Sequence, residues 1–118
     1  MKNKDLIISP HIMSNSLQNK KVVKNYIEIL SEFVVKELVE EDVSIALFGS
    51  FATGANTEVS DIDIAIIPKG SLNRWKLSLL REKLEELPIP YIVDLVDFSM
   101  VSESFKKTAL KNVLWWRL

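Results

Sequence analysis

Three short runs rich in β-branched residues, spaced along the chain by longer stretches, most restrict what this sequence can fold into. They are residues 42–48 (Asp-Val-Ser-Ile-Ala-Leu-Phe), 61–67 (Asp-Ile-Asp-Ile-Ala-Ile-Ile) and 91–96 (Tyr-Ile-Val-Asp-Leu-Val). Each is strand-sized, and the first two are stopped by Gly49-Ser50 and by Pro68 with Gly70, so they read as buried strands. Around them the apolar residues recur at helical spacing. Val22, Tyr26, Ile29 and Phe33 form one row, and Val23, Ile27, Leu30, Val34 and Leu38 the adjoining one, which predicts a long amphipathic helix from about Asn19. Leu72, Trp75, Leu79, Leu80, Leu84 and Leu87 mark a second helix, ended by Pro88 and Pro90, with Trp75 assigned to the core. Ser102 followed by Glu103 suits an N-cap with a first-turn acid. A third helix then runs to about Asn112, with Phe105, Ala109 and Val113 on one side. Helices alternating with strands predict an α/β domain, one small sheet with helices packed on it. Strand order and direction stay open.

A chain of 118 residues suits one compact domain, expected over residues 18–118. Residues 1–17 are polar and aperiodic, contain Pro10 and His11, and read as a flexible N-terminal arm in which the histidine is a bystander. Lys+Arg number 15 against 16 Asp+Glu, for a net charge of -1. A protein held to a polynucleotide usually carries a basic excess, so direct nucleic-acid binding is disfavoured and Lys2, Lys4, Lys20 and Lys21 read as solvated. The absence of cysteine removes disulfides, thiolate metal sites and a thiol nucleophile, and fits a reducing cytosol. Ile45 to Phe48 is as long as any uninterrupted apolar run, so no membrane span is expected. These features together predict a soluble, cytoplasmic protein.

The chemistry concentrates in Gly49-Ser50, ten further residues, then Asp61-Ile62-Asp63. Side chains at i and i+2 of a strand share a face about 7 Å apart. Two carboxylates so placed in an apolar strand repel each other and lose hydration, a cost that cations between them relieve. Oxygen-only ligands favour Mg²⁺, which keeps waters and completes its shell with substrate phosphates. Two such ions about 3.5–4 Å apart form the arrangement used for in-line displacement at phosphorus. Gly49 lets the chain turn sharply after a strand and approach a ligand closely. A helix beginning near Ser50 would aim free N–H groups at phosphate, with the Ser50 hydroxyl as a further donor and Gly54 relieving a second close approach. Asp94 lies inside the third strand, where an unpaired charge is costly, and completes the acidic set. Asp97, three residues on, falls on the opposite face at a strand end where solvation is cheap. Asp-x-Asp alone is usually a solvated strand end. The combined Gly-Ser-x10-Asp-x-Asp pattern arises by chance in a chain this size on the order of once in several hundred, and each half sits where a strand ends or begins.

The segments Gly49-Ser50-Phe51-Ala52-Thr53-Gly54, Ser60-Asp61-Ile62-Asp63-Ile64-Ala65-Ile66 and Val93-Asp94-Leu95-Val96-Asp97-Phe98 resemble the minimal nucleotidyltransferase (MNT) family of the DNA polymerase beta-like superfamily. The resemblance covers about residues 20–118, including the Phe105-Lys106-Lys107 helix and the apolar C-terminus. It implies a polymerase beta palm-like core with a mixed sheet, Mg²⁺ held by Asp61, Asp63 and Asp94, and an NTP bound at Gly49, Ser50 and Gly54. It also implies the antitoxin of a HEPN toxin pair, moving AMP from ATP onto a hydroxyl of the helical partner. Many members carry Arg where this chain has Thr53, which weakens phosphate contacts, and Gly near Asn112. The lack of an added helical or RNA-binding domain favours a partner protein as acceptor.

Two other readings compete. A catalytically weak module of the same family could neutralise a helical partner by binding alone, and a nucleotide-sugar glycosyltransferase could also use Asp-x-Asp. The last is disfavoured because such folds are longer and need no Gly-Ser upstream. Trp115 and Trp116 point oppositely if extended, so one could pack inward while the other meets a partner. The NTP base and homo-oligomerisation stay open.

Overall fold

The computed structural model describes residues 16–118, with side chains described from Lys20 onward. The expected N-terminal arm lies almost wholly outside the described residues. Two compact units divide the chain, Met1–Phe33 and Val34–Leu118. The second contains the entire sheet.

Helix α1, Ser16–Glu37, begins three residues before the expected start. Leu30, Val34 and Leu38 are fully buried, whereas Val22 and Ile29 are exposed. Of the two apolar rows, then, the one through Leu30 and Val34 is the inward one. The remaining elements are β1 (Val43–Phe48), α2 (Ser50–Thr53), β2 (Ile62–Pro68), α3 (Arg74–Glu85), β3 (Val93–Asp97), α4 (Glu103–Ala109) and β4 (Leu114–Arg117). Sheet order is β3-β2-β1-β4. β1 runs antiparallel to both β2 and β4, and β2 runs parallel to β3. The sheet is mixed, as the resemblance implied. β4 is an addition to the three strands read from sequence: its four residues, Leu-Trp-Trp-Arg, are too few to show a period.

Every residue of β1 is buried, because β1 is central and covered on both faces. Alternation sorts β2 into Ile62, Ile64 and Ile66 on one face and Asp63, Ala65 and Ile67 on the other. The second face joins Ala46, Phe48, Ala65 and Phe98 in a cluster closed by Val96, Val101, Ala109, Leu110 and Val113. Phe48, Phe98 and Phe105 meet edge to face, with centroids 5.2 to 6.2 Å apart, an arrangement aromatic quadrupoles favour. This three-ring cluster fixes the end of β1, one residue before Gly49.

Helix α3 buries Leu77, Leu80 and Leu84 and leaves Trp75 68% exposed. The core assignment for Trp75 therefore fails. Asn73 caps the helix by accepting from the Trp75 N–H at 3.0 Å, and from that start the i, i+3, i+7 stripe through Leu77 turns Trp75 outward. Helix α4 has the expected Ser102 cap, whose Oγ accepts from the Phe105 N–H at 3.1 Å. It ends at Ala109, not near Asn112, because the chain must turn to enter β4. No helix among the described residues is long and apolar enough to cross a membrane.

Candidate active site

The parallel pairing of β2 and β3 sets Asp63 directly beside Asp94, and the antiparallel pairing with β1 sets Phe48 on its other side. Asp63 and Asp94 share the face that carries Ala65 and Val96. Asp61 lies just outside β2, at its mouth, and is exposed. Burial, then the Asp94 charge, then the Asp61 charge push the Asp63 carboxyl from 3.8 to about 6. Each cause penalises the ionised form. The three sequence-selected carboxylates thus form one electrostatic group centred on Asp63.

Gly49 meets this group closely. Its φ is +75°, and a Cβ built on it would lie 2.3 Å from Asp63 Oδ2 and 3.2 Å from Asp63 Cγ. Both the conformation and the contact exclude a side chain. The sequence reading expected Gly49 to approach a ligand; within the chain, what it approaches is the central carboxylate. Gly54 differs from expectation. Nothing lies within 4 Å of its would-be Cβ, so it relieves no close approach within the chain. Its φ of +81° instead ends α2 in the left-handed conformation, with its N–H donating to the Ser50 carbonyl.

Helix α2 is a single turn, so its dipole is small. The Ala52 N–H already donates to the Gly49 carbonyl, and Thr53 Oγ1 donates to the Ser50 carbonyl at 3.3 Å. Any phosphate cradle here rests on the Ser50 hydroxyl and the bare backbone beside Gly49 more than on a macrodipole. Phe51 is buried and stacks edge to face on Tyr91, centroids 5.2 Å apart, which ties the turn to the approach to β3. The loop before Asp61 is closed by the Ser60 Oγ, which accepts from the Thr57 N–H at 2.8 Å.

Asp97 lies on the opposite face from Asp94, as alternation requires, but the expectation of cheap solvation fails. It is 7% exposed. Its Oδ2 accepts from Arg74 Nη1 at 2.6 Å, and its Oδ1 accepts from the Ser99 N–H and Oγ at 2.9 and 2.7 Å. Burial pushes its carboxyl upward, yet the Ser99 and Arg74 interactions outweigh that and hold it below 3.8. Sequence reasoning missed this pair. The available signal was Arg74 and Arg81, two helical turns apart and hence on one flank of α3.

Among the described residues, no three His, Cys, Asp or Glu side chains are grouped closely enough to hold a metal ion. The donor chemistry still suits Mg²⁺, which is commonly bound by one or two carboxylates plus substrate phosphates. A central carboxyl with its pKa raised by two like charges is also one that a cation would return to the ionised state.

A sequence model of the family described as polymerase beta, nucleotidyltransferase matches residues 24–115. The chain belongs to this family. It is 32% identical over 81 residues to a Haemophilus influenzae protein named as the probable protein adenylyltransferase MntA, covering 66% of this chain and 71% of that one. A solved toxin–antitoxin structure with AMP-PNP superposes at a TM-score of 0.58 with 27% identity, over 73% of this chain and 71% of the other. A further match, a tri-AMPylated Shewanella oneidensis HEPN toxin in complex with MNT antitoxin, has a TM-score of 0.54 at 24% identity, over 75% of this chain and 70% of that one. It supports the fold.

Proposed function

We propose that this nucleotidyltransferase is a Mg²⁺-dependent protein adenylyltransferase that moves AMP from ATP onto a hydroxyl of a HEPN-type partner and so acts as its antitoxin in the cytoplasm. The observation that carries the reading is the Asp63 carboxylate wedged against Gly49 and flanked by Asp61 and Asp94. The protein adenylyltransferase name of the relative and the AMP-PNP in a structural neighbour support the choice of AMP transfer.

Asp61, Asp63 and Asp94 would hold the metal, which supplies charge neutralisation for the triphosphate and for the phosphorus undergoing attack. Gly49 and Ser50 bring bare backbone and a hydroxyl to the phosphates, and Gly54 closes the turn that presents them. The acceptor hydroxyl oxygen forms a bond to the α-phosphorus while the bond to the pyrophosphate oxygen breaks. Asp94, exposed beside Asp63, would either ligate the metal or take the hydroxyl proton. Positioning is the chain's main contribution, because phosphoryl chemistry depends on alignment and charge more than on covalent steps.

Two observations favour a second reading, in which binding alone neutralises the partner. Asp61 and Asp94 are exposed and form no ready ligand cage, and Thr53 stands where the resembled family often has Arg. Incubating the chain and its HEPN partner with radiolabelled ATP and Mg²⁺ separates the two. Label on the partner that disappears with EDTA supports transfer. An inhibited but unlabelled partner supports binding alone.

A further inference from the structure

Strand β3 is an edge strand, and a cleft of about 470 Å³ runs along it. Its walls include Arg74, Ser78 and Arg81 of α3, Asp94 of β3, and Met100 and Val101 after β3. The cleft is therefore lined both by Asp94, a residue of the candidate site, and by two arginines of α3. We propose that this cleft docks the acceptor segment of the partner protein, with Arg81 binding a carboxylate side chain that flanks the modified hydroxyl. The inference rests on the adenylyl-transfer reading for its direction and on the cleft's own chemistry for its occupant.

Direction comes from sheet order. Gly49-Ser50 ends β1, Asp63 lies on β2 and Asp94 on β3. With the triphosphate on the Gly49 side, the leaving pyrophosphate departs on that side, and an in-line nucleophile enters from the other. The other side is the β3 edge, where the cleft lies.

Occupancy comes from charge and hydrogen bonding. Arg74 is neutralised by Asp97. Arg81 is exposed, its Nε and Nη2 donate only to the Leu95 carbonyl at 3.3 and 3.1 Å, and it forms no ion pair among the described residues. A guanidinium with a neutral partner and spare donors suits a carboxylate. Ile62 donates to the Ile92 carbonyl and Phe98 donates to the Ile66 carbonyl, so Val93, Leu95 and Asp97 turn their backbone groups outward. Arg81 covers the middle one, which blocks addition of a regular strand and leaves a cleft that receives side chains. Met100, 71% exposed, gives it an adaptable apolar wall. A nucleic-acid acceptor fits less well, since with Arg74 neutralised by Asp97 the cleft offers one unpaired cation, too few to track a phosphate backbone.

Two sets of synthetic peptides test this, each carrying a single Ser, Thr or Tyr hydroxyl and identical except that this residue is flanked by Glu or by Lys. Binding to the full chain is measured by fluorescence anisotropy with AMP-PNP and Mg²⁺ present, and AMP transfer is measured separately with ATP. The Glu peptides should bind at least about tenfold more tightly. Arg81→Glu should abolish or reverse that preference, while Arg81→Lys keeps its direction, both variants melting cooperatively as the wild type does. Equal binding of the two sets, no binding of either, or a preference unchanged in Arg81→Glu would overturn the assignment. So would a single-stranded oligoribonucleotide that binds in an Arg81-dependent way while both sets are ignored. Glu-selective, Arg81-dependent binding without any AMP transfer would uphold the docking site and refute the transfer reading.

Discussion

Replacing Gly49 by Ala should damage stability and the site together, through one identifiable contact. At φ +75° and ψ -158°, a region essentially reserved for glycine, an L-residue is strained by about 1–3 kcal/mol. The new methyl would also lie 2.3 Å from Asp63 Oδ2, more than 1 Å inside ordinary contact, so the Asp63 side chain must leave its rotamer or the strands must part. Such overpacking costs about a further 1–3 kcal/mol. The whole penalty, about 2–6 kcal/mol, should appear as a lower urea midpoint with little change in slope. Asp63→Ala removes Cγ and both oxygens and leaves only the Asp63 Cβ at 3.4 Å, an ordinary separation. In that background Gly49→Ala should cost only the backbone strain, which gives a coupling of about 1–3 kcal/mol in the double-mutant cycle. Additive effects would refute the claim that the Asp63 carboxylate is what forbids a side chain at position 49.

Asp63→Asn should stabilise the metal-free protein at pH 8. With the folded pKa raised from 3.8 to about 6, the folded state keeps a proton that the unfolded chain releases in that interval, so stability falls as pH rises from about 4 to about 6. Discounting for partial solvation, the variant should gain about 1–2 kcal/mol at pH 8 and nothing near pH 3; an unchanged pH profile would contradict this. Asp97 has the opposite sign. Its lowered pKa gives a contribution present above pH 4 and lost on acidification, and Asp97→Ala should cost about 1–3 kcal/mol by stranding its donors. Asp94→Asn removes one of the charges that penalise Asp63, so it should keep or raise the melting temperature and lose transfer, and loss of transfer from the Asp97 variant alone would reverse the assignment. Trp115 is 44% exposed and pairs with Ala46, while Trp116 is less exposed on the other face. Trp115→Ala should keep the melting temperature but lose about 2 kcal/mol of partner binding, and parallel losses of both from Trp115→Ala would make it a core residue.

The carboxylate group was largely legible in the sequence because strand periodicity specifies much of it. Period-two alternation separates Asp94 from Asp97 and puts Asp63 on the Asp94 face, while Asp61 falls one residue before the strand. What alternation cannot give is which strands neighbour each other. That Asp94 sits directly beside Asp63 depends on the parallel register of β2 and β3, a long-range pairing joined by the single crossover helix α3. The Asp97–Arg74 pair was missed for the same reason: a charge at a strand end looks solvated until α3 is laid over it. Trp75 shows the limit of helical periodicity, since the Asn73 cap fixes the helix start and a rotation of one position exchanges core for surface. Gly54 shows that one glycine pattern serves two physical needs. Gly49 makes room, and Gly54 only permits a left-handed turn.

The most direct test of AMP transfer through Asp63 is the intact mass of the HEPN partner after incubation with ATP, Mg²⁺ and either the wild-type chain or Asp63→Asn. Wild type should add the mass of one or more AMP groups, while the variant, folded and still bound to the partner, should add none. An unmodified partner with wild type, or a modified one with Asp63→Asn, would contradict the account.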